Sequence, residues 1–242
     1  MSYRDAVLST NPVGYWRLGE PSGTVAVDVM GLNNGTYVNA PTLGVAGLLT
    51  GDPDTAMTGT GSSYMQFSCG ALSAYSITFW AKCGAGSGSP HYLFGNASDA
   101  PDISNNYTTG KVQAYISGWR DMAPFAVGEK AMFCLTFDGT TTTFYKNGAS
   151  TYSAVIGGTL PAVANAFGGY PVAGVGVVDT IDEPAIWNRA LTAAEVAMLY
   201  AEGLADPSYH LAPLWFGDGT QEPWQGTSDK RYDNLPPTPD RG

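Results

Sequence analysis

The chain has 242 residues, a formal net charge of −10 and only 13% charged side chains, about half the usual share. Hydrophobic residues make up 44% and aromatics 12%, enough to build one large core. An acidic surface repels phosphate backbones and anionic lipid headgroups, and no run approaches the roughly 18 apolar residues of a membrane span, which sets aside nucleic acid and membrane insertion.

In chain order, Ser2 to Leu8 reads as one short helical turn, with Ser2 as its cap and Asp5 three residues on. Arg4 and Asp5 interrupt any apolar core of signal-peptide length, so the chain is expected to be made in a cytoplasm. Pro12 closes the turn, and Val13 to Leu18 reads as a strand. Residues 19–62 are rich in Gly, Pro, Asn, Asp and Thr, and Asn33-Asn34-Gly35 is a strong turn signal. Ser63 to Phe67 and Ser76 to Lys82 read as strands. Phe79 and Trp80 point to opposite faces of the second, so that strand is covered on both sides or lines a groove.

Residues 84–90 read as a flexible loop, His91 to Gly95 as a short strand, 96–109 as a long polar loop, and Lys111 to Ile116 as a strand. The clearest unit is a hairpin: Met132 to Phe137, an Asp138-Gly139 turn, Thr141 to Lys146, and a second turn at Asn147-Gly148. Residues 157–176 are Gly- and Ala-rich and read as loops with short edge strands. Ile181 to Trp187 is the last strand, with Pro184 marking an edge or a bulge.

A second helix is well marked. Thr192 and Glu195 make a capping box, and Leu191 and Val196 a hydrophobic staple. Val196, Leu199 and Tyr200 share one face, and Gly203 is expected to end the helix as a C′ glycine. Six prolines then fall within residues 204–242. Leu214, Trp215, Phe216 and Trp224 in that stretch are large and apolar, unlike a purely solvated tail. They predict an extended arm that docks on its own sandwich, a sister subunit or a partner. The cysteines, Cys69, Cys83 and Cys134, are odd in number and form no CxxC pair, which argues against a structural zinc site. Cys134 reads as a small buried hydrophobe.

Four stretches, in this order, resemble one known family. They are Tyr15-Trp16-Arg17-Leu18 with Glu20, Asp28, Gly31 and Asn34-Gly35-Thr36-Tyr37; SITFWAK at 76–82; FDGTTTTFYKNG at 137–148; and IDEPAIWNRALTAAEVAMLYAEG at 181–203. Together they are similar to the concanavalin A-like (laminin-G-like) jelly rolls. The resemblance implies an all-β, two-sheet antiparallel jelly-roll sandwich with two short helices over residues 1–203, followed by a Pro-rich extended C-terminal arm over 204–242. The wording AVLxxNPVGYWRLGE also looks like versions in tail and other virion proteins of phages that infect actinobacteria. That implies a virion surface protein, either a minor tail protein that contacts the host or a capsid decoration protein. Its partners would be other virion proteins, its own copies in a homo-oligomer, and a host-surface glycan.

Fold does not assign function, so each candidate chemistry needs its own residues. Glucanases of this family set catalytic carboxylates on one strand in an ExDxxE-like pattern. Asp179, Asp182 and Glu183 do not match it, and His91 and His210 adjoin no nucleophile motif, so the expectation is a non-enzymatic protein. A glycan-processing enzyme is the rival reading. Many domains of the superfamily hold a structural Ca²⁺ between the opening loop and the closing strand. Asp28, Asn33 and Asn34 with Asp182 are the matching oxygen donors; Asx-turns and backbone hydrogen bonds are their alternative use. For glycan binding, residues 91–121 offer rings and polar groups, chiefly Tyr92, Asn106, Tyr107 and Trp119. Core and loop packing is the alternative use of those rings.

Overall fold

A computed structural model describes residues 1–88, 91–98, 101–171 and 175–205, together with the backbone of 214–215 and 221–222. The first unit, residues 1–205, opens with α1 (Tyr3–Ser9), β1 (Gly14–Tyr15), β2 (Val25–Ala26), β3 (Gly35–Val38), β4 (Thr42–Ala46), β5 (Thr55–Thr58), β6 (Tyr64–Ser68) and β7 (Tyr75–Lys82). It continues through β8 (His91–Asn96), β9 (Asp102–Asn106), β10 (Lys111–Tyr115), β11 (Trp119–Pro124), β12 (Lys130–Phe137), β13 (Thr142–Lys146) and β14 (Ala149–Ala154). It closes with β15 (Ala164–Phe167), β16 (Gly169–Tyr170), β17 (Val175–Gly176), β18 (Thr180–Trp187) and α2 (Ala193–Leu204). Residues 206–242 form a separate unit. There β19 (Leu214–Trp215) pairs antiparallel with β20 (Gln221–Glu222). Of the expected arm residues, Phe216 and Trp224 lie outside the described residues.

Two large antiparallel sheets make a jelly-roll sandwich. The back sheet runs β14-β13-β12-β7-β18-β5-β4, with β1 also on β18. The front sheet runs β11-β10-β9-β8-β15-β6-β3-β2. Between them lies a core that includes Trp16, Phe67, Phe79, Phe94, Phe133, Phe144 and Phe167. Each such ring contributes about 1.5–3 kcal/mol by leaving water. A second core covers the outer side of the back sheet, where Tyr3 and Val7 of α1 and Val196 and Leu199 of α2 meet Trp80, Met132, Cys134 and Trp187. The expectation for β7 is met in its first form: Phe79 faces the inner core and Trp80 the helices.

Local chemistry explains the ends of the elements. The Ser2 hydroxyl accepts the Asp5 N–H at 3.1 Å, and Thr192 and Glu195 close a full capping box. Asn147 and Gly148 adopt φ of 53° and 78°, the two left-handed positions of a two-residue hairpin turn.

Three expectations are corrected, and the one for Pro184 is met in its second form. Residues 96–109 are not all loop: β9 pairs with β8 and β10, and its polar residues Asp102, Ser104 and Asn105 are buried. Polar composition hid a strand whose side chains are hydrogen-bonded inside the sheet. β15 lies between β8 and β6, in the middle of the front sheet rather than at an edge. β18 is central in the back sheet, so Pro184 marks a bulge alone: the register shifts between Asp182 and Ala185, and Glu183 sits at φ 53°. Gly203 does not terminate α2. It lies inside the helix, buried, where an added Cβ would come within 2.3 Å of Trp80 Cζ2.

Candidate functional site

The outward face of the front sheet carries a row of rings. Alternation along β10 sends Val112 and Ala114 inward and leaves Lys111, Gln113 and Tyr115 outward. Register aligns Tyr92, Ser104, Gln113 and Asp121 across β8 to β11, and sets Tyr115 opposite Trp119. Tyr170 stacks on Tyr92 with ring centroids 4.7 Å apart, Tyr92 meets Trp119 at 6.1 Å, and Trp119 meets Tyr115 edge-on at 5.4 Å. Trp119 is 39% exposed. Gly95 makes the row possible at its far end: a Cβ there would lie 2.8 Å from Gly169 O and 3.1 Å from Tyr170 Cδ2, so only glycine lets the β16–β17 ribbon lie against β8.

A line of polar side chains runs beside the rings. Asn106 Nδ2 donates to Gln113 Oε1 at 3.1 Å, Gln113 Nε2 donates to Asp121 Oδ1 at 2.7 Å, and Lys111 Nζ donates to Asp121 Oδ2 at 2.6 Å. The bonds from Lys111 and then Gln113 hold the Asp121 carboxyl below its ordinary range. Next to Tyr115 a cleft of about 350 Å³ opens at the sandwich rim, lined by Tyr75, Pro101, Ile116, Ser117 and Gly157. Stacking rings beside fixed hydrogen-bonding groups are the two components that a flat, hydroxylated ligand needs.

Of the residues expected from sequence, Tyr92, Trp119 and Asn106 come together on this face. The Asn106 Oδ1 is also used locally, accepting the N–H groups of Thr108 and Thr109. Tyr107 lies elsewhere. Its ring packs on His91 at 4.9 Å and its hydroxyl lies 3.4 Å from the Val178 N–H. Burial, then the nearby Asp179, pushes that hydroxyl well above its ordinary range. Sequence reasoning missed Tyr115, Gln113 and Lys111, although the alternation in KVQAY carries them. It also missed Tyr170, for which no local pattern exists.

The oxygen donors proposed for Ca²⁺ bond to different parts of the chain. Asp28 is 2% exposed, and its two carboxylate oxygens accept the N–H groups of Tyr15, Met30, Leu32 and Asn33 at 2.9–3.1 Å. Asn33 donates its side-chain amide to Val13 O, and its carbonyl accepts the Trp16 indole N–H. Asp182 instead accepts the Leu48 N–H at 2.6 Å. Among the described residues, no group of three or more His, Cys, Asp and Glu side chains is placed to hold a metal ion. The donor set at Asp28 is filled by backbone and fits the Asx-turn use.

The carboxylates of the closing strand are buried in the sandwich. Asp179 accepts the Gly84 N–H at 2.6 Å and the Asn105 amide at 3.1 Å. Glu183 accepts Arg17 Nε at 2.9 Å, Arg17 Nη2 at 2.8 Å and the Tyr15 hydroxyl, and Arg17 also pairs with Asp52 and Asp54. Burial raises Asp182 and pushes Glu183 up to about 7, against the pull of Arg17 and Tyr15.

The model of the concanavalin A-like lectin/glucanases superfamily matches residues 59–197. The chain belongs to this superfamily. No curated protein sequence matches it. Among solved structures, this lectin/glucanase-type sandwich is similar to the Trypanosoma rangeli sialidase solved with 2,3-difluorosialic acid as a covalent intermediate, at 14% identity and TM-score 0.61, over 80% of this chain and 33% of that one. It is similar to domain 4 of AbnA, an extracellular arabinanase from Geobacillus stearothermophilus, in complex with arabinotriose, at 19% identity and TM-score 0.51, over 76% and 84%. It is also similar to the binding domain of botulinum neurotoxin serotype D, at 12% identity and TM-score 0.58, over 78% and 51%. The chain thus spans about a third of the sialidase. At these identities the likeness is one of fold.

Proposed function

We propose that this chain is a non-catalytic, lectin-like sandwich of a phage virion surface, a minor tail or decoration protein, that holds a host-surface glycan on the outward face of its front sheet. One observation carries the reading: the row Tyr170–Tyr92–Trp119–Tyr115, with Asn106, Gln113 and Asp121 beside it. Sugar rings present an apolar face to an aromatic ring and hydroxyls to amides and carboxylates. The arabinanase domain solved with arabinotriose supports a sugar as the occupant of such a fold.

The non-catalytic part rests on where the acids go. Asp179, Asp182 and Glu183 are each 2% exposed or less, and their bonds are to the sandwich's own groups. Most glycoside hydrolases set two carboxyls facing one bond. The virion setting is supported by the opening sequence AVLSTNPVGYWRLGE. In this reading the Pro-rich 206–242 stretch, with Trp215 and Trp224, joins the chain to other virion proteins or to its own copies.

A glycan array probed with the full chain and with Trp119→Ala tests the binding role. The expected result is a defined set of bound oligosaccharides whose affinity falls about tenfold or more in the variant. Binding to none, or binding that ignores Trp119, overturns it. Antibody labelling of purified virions tests the setting, and particles that lack the chain overturn that part.

A further inference from the structure

We infer that the glycan held on this face is uncharged, and that the Lys111–Asp121 pair enforces the preference. The inference rests on the glycan-binding reading above and adds the ligand's charge class.

An anionic sugar, whether sialylated, uronic or phosphorylated, needs a cation or a set of converging N–H groups to replace its lost hydration. Among the described residues, the front-sheet strands carry two Lys or Arg side chains, Lys111 and Arg120. Lys111 Nζ is 2.6 Å from Asp121 Oδ2, so its charge is already met. Arg120 stands opposite buried Ala114 and so projects to the other side of β11 from Trp119 and Asp121. The remaining donors on this face are uncharged, namely side-chain amides, tyrosine hydroxyls and the Trp119 indole N–H, and the Gln113 Nε2 bond also goes to Asp121. The face therefore offers rings, amides and a carboxylate, in a chain of net charge −10. Sugar hydroxyls can donate to that carboxylate; an anion placed there would have to pull Lys111 away and then lie beside Asp121.

Asp121 is thus the specificity-determining residue. It is an acceptor for hydroxyls and at the same time the neutraliser of Lys111, the one front-sheet Lys or Arg among the described residues that lies on this face. Removing its charge while keeping its shape frees Lys111.

The test is titration of the full chain and of Asp121→Asn with neutral oligosaccharides from the array and with the same backbones oxidised to uronates at C6. The expected result is that the wild type binds the uronates about tenfold or more weakly than the neutral parents, and that Asp121→Asn narrows this gap to about threefold or less. Asp121 is 46% exposed at its side chain, and an unchanged melting temperature confirms that the variant is folded. Wild-type binding of uronates as tight as of neutral parents, lost in Trp119→Ala, overturns the charge inference and leaves the glycan role standing. An unchanged gap in Asp121→Asn overturns the role of the ion pair. Binding of neither class overturns the glycan reading itself, and the inference with it.

Discussion

Gly203 and Trp80 are in direct contact: the α2 backbone lies so close to the indole that no side chain fits between them. Trp80 is also stacked on Tyr200 at 5.8 Å and edge-on to Tyr3 at 6.3 Å, so the ring has little room to yield. Gly203→Ala gains about 1 kcal/mol of helix propensity but forces an overlap that costs typically 1–3 kcal/mol or more. The expected net result is a lower urea midpoint. A midpoint that rises would mean that α2 can shift away from the sheet.

Glu183 makes stability depend on pH in an unusual direction. Its folded carboxyl takes its proton near pH 7, against an ordinary value of 4.5. Between those values the folded chain binds more protons than the unfolded one, so this group lowers stability as pH rises from about 5 to about 8. Urea denaturation at several pH values should show that slope, and Glu183→Gln should flatten it. A slope that survives the substitution assigns it to another group.

Asp28 organises the opening loop by accepting four backbone N–H groups. Asp28→Ala orphans those donors in a buried place, with an expected loss of about 3 kcal/mol. Because the carboxylate is already saturated, a chelator should leave the melting temperature where it is in millimolar calcium. A fall in chelator would mean that a cation joins the loop.

Tyr107 and Trp119 should separate stability from binding. Tyr107→Ala removes a ring packed against His91 and the core and should cost about 2–4 kcal/mol while leaving glycan affinity in the folded fraction unchanged. Trp119→Ala should do the reverse, with a melting temperature close to wild type. Equal effects of both on affinity would place the site nearer His91 than the aromatic row.

Several features were legible because their physics is local. The capping box at Thr192, the Asn147-Gly148 turn and the alternation of Phe79 and Trp80 each depend on neighbours within a few positions. The motif residues of the opening and closing stretches also declared themselves, and the structure shows what they are for: Tyr15 and Arg17 clamp Glu183, and Trp16 fills the core. What was hidden depends on partners far away in the chain. β9 looks like loop until Asn105 and Asp102 are seen bonded inside a sheet. Gly203 looks like a helix stop until Trp80 is placed beside it. The aromatic row draws on Tyr92, Tyr115, Trp119 and Tyr170, which share a face only after β8, β10, β11 and β16 have been brought together.

The helix-covered back has a consequence for how the unit can be used. Its first residue and its last helix meet there, with the Met1 ammonium 3.5 Å from Glu202 Oε2. Residues 1–205 can therefore be spliced as a cassette into an exposed turn of another protein, because both junctions fall at one spot and need little linker. Circular permutation follows the same logic, with a short bridge from residue 205 to residue 1 and new ends cut in an exposed turn such as 127–129. In either construction the host lies behind the helices, and the tyrosine–tryptophan side looks outward into solvent.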